Sequence, residues 1–114
     1  MDELVKKYLY DINEAVASIF NYLGEKRDFN CYTENKMLRR AVEREFEIIG
    51  EAMNRISKIE PEIAISHKAQ IIAMRNRVIH GYDKIDDGII WGAIVRYLPA
   101  LQHEIETLMR QHDK

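Results

Sequence analysis

The chain has 114 residues, 46% of them hydrophobic and 32% charged, with only 5 Gly and 2 Pro. That is one domain's worth of sequence, residues 1–114, able to bury a real core; disorder is excluded and a turn-rich β fold is disfavoured. A formal charge of −2 excludes the global basicity of a dedicated nucleic-acid binder, so any RNA-directed activity needs a local basic patch.

In chain order, the first segment MDELVKKYLYDI lacks the basic start and unbroken apolar run of a secretory signal. No stretch is apolar for long enough to span a membrane. Cys31 stands alone, so no intramolecular disulfide or cysteine-based zinc site can form, which fits a reducing cytoplasm. A soluble cytoplasmic protein is expected.

Val5, Tyr8, Leu9, Ile12, Ala15, Val16, Ile19, Phe20 and Leu23 fall at helical spacing with one buried stripe, and Gly24 is a natural stop. A polar connector, EKRDFNCYTEN, follows, with Thr33 as the expected cap of a second helix. That helix carries Leu38, Ala41, Val42, Phe46, Ile48, Ile49, Ala52, Met53 and Ile56 and ends before Pro61. Gly50 inside it costs helix stability, which predicts a close helix approach there. Ser66 would cap a third helix through Ile71, Ile72, Val78 and Ile79, with Gly81 at its end. Asp86 or Asp87 would cap a fourth, carrying Ile90, Trp91, Ile94, Leu98, Leu101, Ile105 and Leu108, kinked by Pro99. The expected fold is all-α, an antiparallel bundle of four to five helices.

Polar residues on apolar stripes carry the functional information. Arg75 lies four residues after Ile71 and three before Val78, on the buried side of the third helix. Glu45 lies on the stripe of the second, so Glu45 and Arg75 are expected to pair, because an unpaired desolvated guanidinium is very costly. His80 is different: five residues from Arg75 is about 140° around a helix. The two converge only if the helix turns at Gly81 or if a second chain completes the site, as a two-fold dimer would. A helix C-terminus favours imidazolium, and a proton donor near neutral pH suits phosphodiester cleavage. Each of these residues alone has an ordinary structural explanation: a bundle ion pair, a C-cap, an aromatic covering a core edge. Together in RNRVIHGYD they leave structure and chemistry evenly matched.

That stretch fits R-x-x-x-x-H-x-Y, with Arg75, His80 and Tyr82 in the defined places and Asn76 as the polar residue after the arginine. It resembles the signature of the HEPN superfamily, in its HepT-like toxin branch. YLYDINEAV at 8–16, FEIIGEA at 46–52, AMRNRVIHGYD at 73–83 and IIWGAIVRYLPAL at 89–101 extend the resemblance along most of the chain. The resemblance implies an all-helical homodimer whose two motifs meet in an interface cleft. It implies a metal-independent endoribonuclease, the toxin of a type VII-like toxin–antitoxin pair. The implied partner is an MntA-type nucleotidyltransferase antitoxin, which transfers AMP to the motif tyrosine, here Tyr82.

The residues fit those roles. RNA can be cut without metal because its own 2′-OH can attack the adjacent phosphate. His80 would manage protons and Arg75 would stabilise the developing charge, its fork matching phosphate oxygens. Asn76 would orient His80 or a phosphate oxygen. Arg77, Arg44 and Arg40 would supply a local RNA-binding surface; Arg39 reads better as a solvated helix face. Glu45 stands where the family pattern has an uncharged polar residue, and paired with Arg75 it would reduce that arginine's availability to phosphate. His67, His80, His103 and His112 show no zinc-site spacing, and no Gly-rich phosphate loop exists, so neither metal nor cofactor is expected. The rival expectation is a helical dimer without nuclease activity that serves as the substrate-binding partner of a nucleotidyltransferase.

Overall fold

The computed structural model describes residues 2–25, 27–80 and 87–112; for His80 and His112 it describes the backbone only. Gly81, Tyr82 and Asp86, named above, lie outside the described residues. The chain forms α1 (Glu3–Leu23), α2 (Phe29–Glu34), α3 (Lys36–Ile59), α4 (Lys68–His80), α5 (Asp87–Arg96) and α6 (Leu98–His112), with no strand among the described residues.

Each helix starts and stops where local chemistry dictates. The Asp2 carboxylate accepts from the Leu4 and Val5 N–H groups at 2.7 and 3.4 Å, satisfying donors that a first turn leaves without partners. Gly24 ends α1 at φ 70°, its N–H donating to the Phe20 carbonyl at 3.1 Å. The connector is not all loop. Asp28 caps the six-residue α2 by accepting from Asn30 N–H at 2.8 Å, and Asn35 both ends α2 and caps α3, accepting from Leu38 N–H at 3.0 Å. Thr33, expected as that cap, lies inside α2 and donates to the Asn30 carbonyl at 2.9 Å. Ser66 is likewise spent elsewhere. Its N–H and hydroxyl both donate to the Glu104 carboxylate of α6, at 2.9 and 3.0 Å. The expected fourth helix is α5 and α6, parted at Tyr97. Pro99 then sits in the first turn of α6, where a missing N–H costs little.

The apolar stripes meet in one core: Leu9, Ile12, Val16 and Ile19 of α1, Val42, Phe46, Ile49, Met53 and Ile56 of α3, and Leu98, Leu101 and Ile105 of α6. Burying each such side chain contributes about 1.5–3 kcal/mol. Helix α1 packs on α3 and α6, α3 on α4 and α2, and α5 on α6. Tyr32 anchors α2 by full burial against Trp91 of α5, ring centroids 5.6 Å apart, and Phe29 covers the same indole at 5.7 Å. Burial raises the Tyr32 phenol well above its ordinary pKa, so its hydroxyl stays neutral. No helix among the described residues is long and apolar enough to cross a membrane.

Candidate active site

Helices α3 and α4 cross at Gly50. A Cβ built on Gly50 would lie 2.2 Å from the Cβ of Arg75, 3.0 Å from its Cγ and 3.1 Å from its Cδ. The absence of a side chain at 50 is therefore what lets the aliphatic stem of Arg75 lie across α3. The close approach predicted at Gly50 is a helix crossing, and its occupant is the motif arginine.

Past that crossing the guanidinium reaches carboxylate. Nη2 of Arg75 lies 2.8 Å from Glu51 Oε2, the two side chains being 27% and 38% exposed. Nη1 donates to Asn76 Oδ1 at 3.2 Å, while Nε is buried with no partner among the described residues. Glu51 is shared, since Arg55 donates to its Oε1 at 2.8 Å. The Arg55 hydrogen bond, reinforced by the charge of Arg75, holds the Glu51 carboxyl below its usual pKa. A pair this exposed adds about 0–1 kcal/mol to stability. What it fixes is direction: Glu51 and Asn76 hold the planar cation at the α3–α4 crossing, with its Nε–H buried.

The expected Glu45–Arg75 pair does not form. Glu45 instead accepts from the Tyr22 hydroxyl of α1 at 2.9 Å, which raises the Tyr22 pKa. The reason is angular. Arg75 meets α3 at Gly50, and five residues back to Glu45 is about 140° of rotation, so Glu45 faces α1 while Glu51, adjacent to the crossing, meets the arginine. Glu45 consequently does not neutralise Arg75.

The other candidates are dispersed. Arg40 is exposed on α3, and Arg44 is exposed but pairs with Glu47 at 3.0 Å. At about 1.5 Å rise per residue they stand roughly 15 and 9 Å along the α3 axis from Gly50. Arg39 donates to the Thr33 carbonyl at the end of α2, a structural role rather than a solvated face. Arg77 is exposed and lines an open groove between α4 and α5. Helix α4 stays helical through the His80 backbone, so the chain has not turned between Arg75 and His80. The His80 side chain and all of Tyr82 lie outside the described residues. Among the described residues no group of three His, Cys, Asp or Glu side chains is placed to hold a metal ion.

Sequence reasoning missed Glu51, although its adjacency to the helix-interior Gly50 was the available signal, and it missed Arg96 and Tyr97, which share the groove with Arg77.

With this geometry in hand, the comparisons with known proteins are specific. The ribonuclease HepT-like family matches residues 7–108. A protein of Methanocaldococcus jannaschii named "Putative RNase MJ1380" is 33% identical over 105 residues, covering 91% of this chain and 95% of its own. A protein of Thermococcus cleftensis named "Probable ribonuclease HepT" is 34% identical over 111 residues, covering 92% and 96%. No solved structure matches the chain. The seated arginine of the R-x-x-x-x-H-x-Y motif and these full-length likenesses agree: the chain belongs to the HepT-like ribonuclease family, and is an endoribonuclease.

Proposed function

We propose that the chain is the toxin of a toxin–antitoxin pair, cutting RNA without metal at a site shared by two copies. The observation that carries this reading is the seating of Arg75. Its stem crosses α3 at Gly50 and its head is fixed by Glu51 and Asn76, while α4 continues unbroken to the His80 backbone. Positions 75 and 80 of one continuous helix stand about 140° apart, so one copy offers them to different sides and a two-fold partner supplies the missing half.

In the reaction, the 2′-oxygen of RNA attacks the adjacent phosphorus and gives up its proton to solvent. The bond from phosphorus to the 5′-oxygen breaks, and His80 donates a proton to that leaving oxygen. Arg75 stabilises the charge that builds on the phosphate oxygens, a role its permanent charge and fork suit. Products are a 2′,3′-cyclic phosphate and a 5′-hydroxyl. The test is purified protein with RNA in EDTA, beside His80→Ala. Cleavage is expected from the wild type, with a loss of about 10²-fold or more in the variant; equal cleavage by both, or none by either at high concentration, contradicts the reading.

Restraint follows from Tyr82, two residues from His80. Its phenolic oxygen attacks the α-phosphorus of ATP on a partner nucleotidyltransferase of the MntA type, releasing pyrophosphate and leaving AMP on the toxin. Added bulk and negative charge on the motif tyrosine then repel RNA. Incubation with such an enzyme and ATP should raise the intact mass in steps of one AMP, and Tyr82→Phe should abolish the rise. An unmodified wild type, under conditions that modify a control toxin, rules the modification out.

A further inference from the structure

The groove between α4 and α5 has a volume of about 470 Å³ and is lined by Gln70, Met74 and Arg77 of α4, Gly92 and Arg96 of α5, and Tyr97. Its two arginines lie on the facing helices α4 and α5. Arg44, Arg55 and Arg75 each hold a carboxylate, whereas Arg77 and Arg96 are exposed and in no ion pair among the described residues. Two unspent guanidiniums facing one space, in a chain of net charge −2, make a local anion site that the composition as a whole does not offer.

The rest of the groove suits more than a bare phosphate. A Cβ on Gly92 would meet no atom within 4 Å, so the α5 wall leaves space where a ring can lie against backbone. Tyr97 is half-buried, with its ring held at 4.8 Å from that of His67, giving the groove a supported aromatic surface. The volume falls within the roughly 300–1,000 Å³ of sites that hold small organic ligands. Along α4, Gln70, Met74 and Arg77 follow helical spacing, and position 80 lies about one turn beyond Arg77 and about 60° round the helix from it. The groove thus leads along α4 toward the motif histidine's place on the helix, on the side away from the α3 crossing that seats Arg75.

We propose that this groove is a subsite for single-stranded RNA beside the cleaved bond, with Arg77 and Arg96 taking phosphate and the space between Gly92 and Tyr97 taking a base or ribose. This rests on the ribonuclease reading. Two cations across one short groove fit a single strand, where phosphate contact and ring stacking act together; a duplex is recognised across successive minor grooves along a much longer face.

The experiment measures binding of a fluorescent single-stranded RNA by anisotropy across a salt series, using the His80→Ala protein so that RNA stays intact. Adding Arg77→Gln and Arg96→Gln is expected to weaken binding by about tenfold per arginine and to flatten the log–log salt slope by about 0.7 for each. Arg110→Gln, outside the groove, serves as the charge control and should change neither. An unchanged affinity and slope, while the wild type still cuts RNA in EDTA, overturns the subsite and leaves the ribonuclease reading standing. Failure of the wild type to cut RNA at all removes the reading beneath it instead. Equal losses on duplex RNA overturn the single-strand assignment. A change from dimer to monomer in light scattering assigns the groove to a subunit contact and overturns it as well.

Discussion

Replacing Gly50 by alanine is expected to destabilise the protein by about 1–3 kcal/mol, even though alanine is the better helix former by about 1 kcal/mol. The added Cβ would stand 2.2 Å from the Cβ of Arg75. Neither atom is the end of a flexible side chain, so relief requires α3 and α4 to part. Their buried faces, Ile49 and Met53 on α3 and Ile71 and Val78 on α4, then part, because packed helices tolerate little separation. The cycle has a distinctive second arm. Arg75→Ala retains a Cβ and should not relieve the clash, whereas Arg75→Gly removes it and should recover about 1 kcal/mol or more as coupling with Gly50→Ala. Urea or thermal unfolding reads both; about 1 kcal/mol corresponds to several degrees in Tm for a domain of this size. An unchanged or raised midpoint in Gly50→Ala contradicts the crossing, as does equal relief by Arg75→Ala and Arg75→Gly.

Much of this arrangement is legible in the sequence because burial writes a 3.6-residue period. The stripes of α1, α3 and α6 are those of the core, and Arg75 stands out as a charge beside Ile71 and Val78. Gly50 inside an apolar helix signals a close approach for the same reason. The partner of Arg75 is not legible from the stripe of α3 alone, because which carboxylate an arginine meets depends on where α4 crosses. Glu45 and Glu51 are both near that stripe, and only the crossing at Gly50 selects Glu51. Helix α2 escapes periodicity because six residues with one buried Tyr32 carry too little pattern. Ser66 and Thr33 show the limit of capping rules, since a hydroxyl with a better partner in three dimensions, such as Glu104 for Ser66, leaves the cap. The interruption expected from Pro99 falls at Tyr97, two residues earlier, where proline can sit in the first turn of α6; Tyr97 still donates to the Ala93 carbonyl and accepts from Leu101 N–H, both at 2.9 Å.

The motif itself divides along the same line. Its spacing fixes the angular separation of positions 75 and 80, and the structure adds that α4 is unbroken between them and that Arg75 is committed to the α3 side. Arg75 is also removable without stranding a charge, because Glu51 keeps Arg55. That allows a direct complementation experiment on the shared site. Arg75→Ala and His80→Ala proteins, each expected to be nearly inactive on RNA in EDTA, are refolded together in equal amounts. If one copy's Arg75 works with the other's His80, a mixed dimer has one site with both residues intact and one with neither. Random pairing makes about half the dimers mixed, so cleavage should return to about a quarter of the wild-type rate. Activity no greater than the sum of the two single variants contradicts a ribonuclease site built from two copies of this chain.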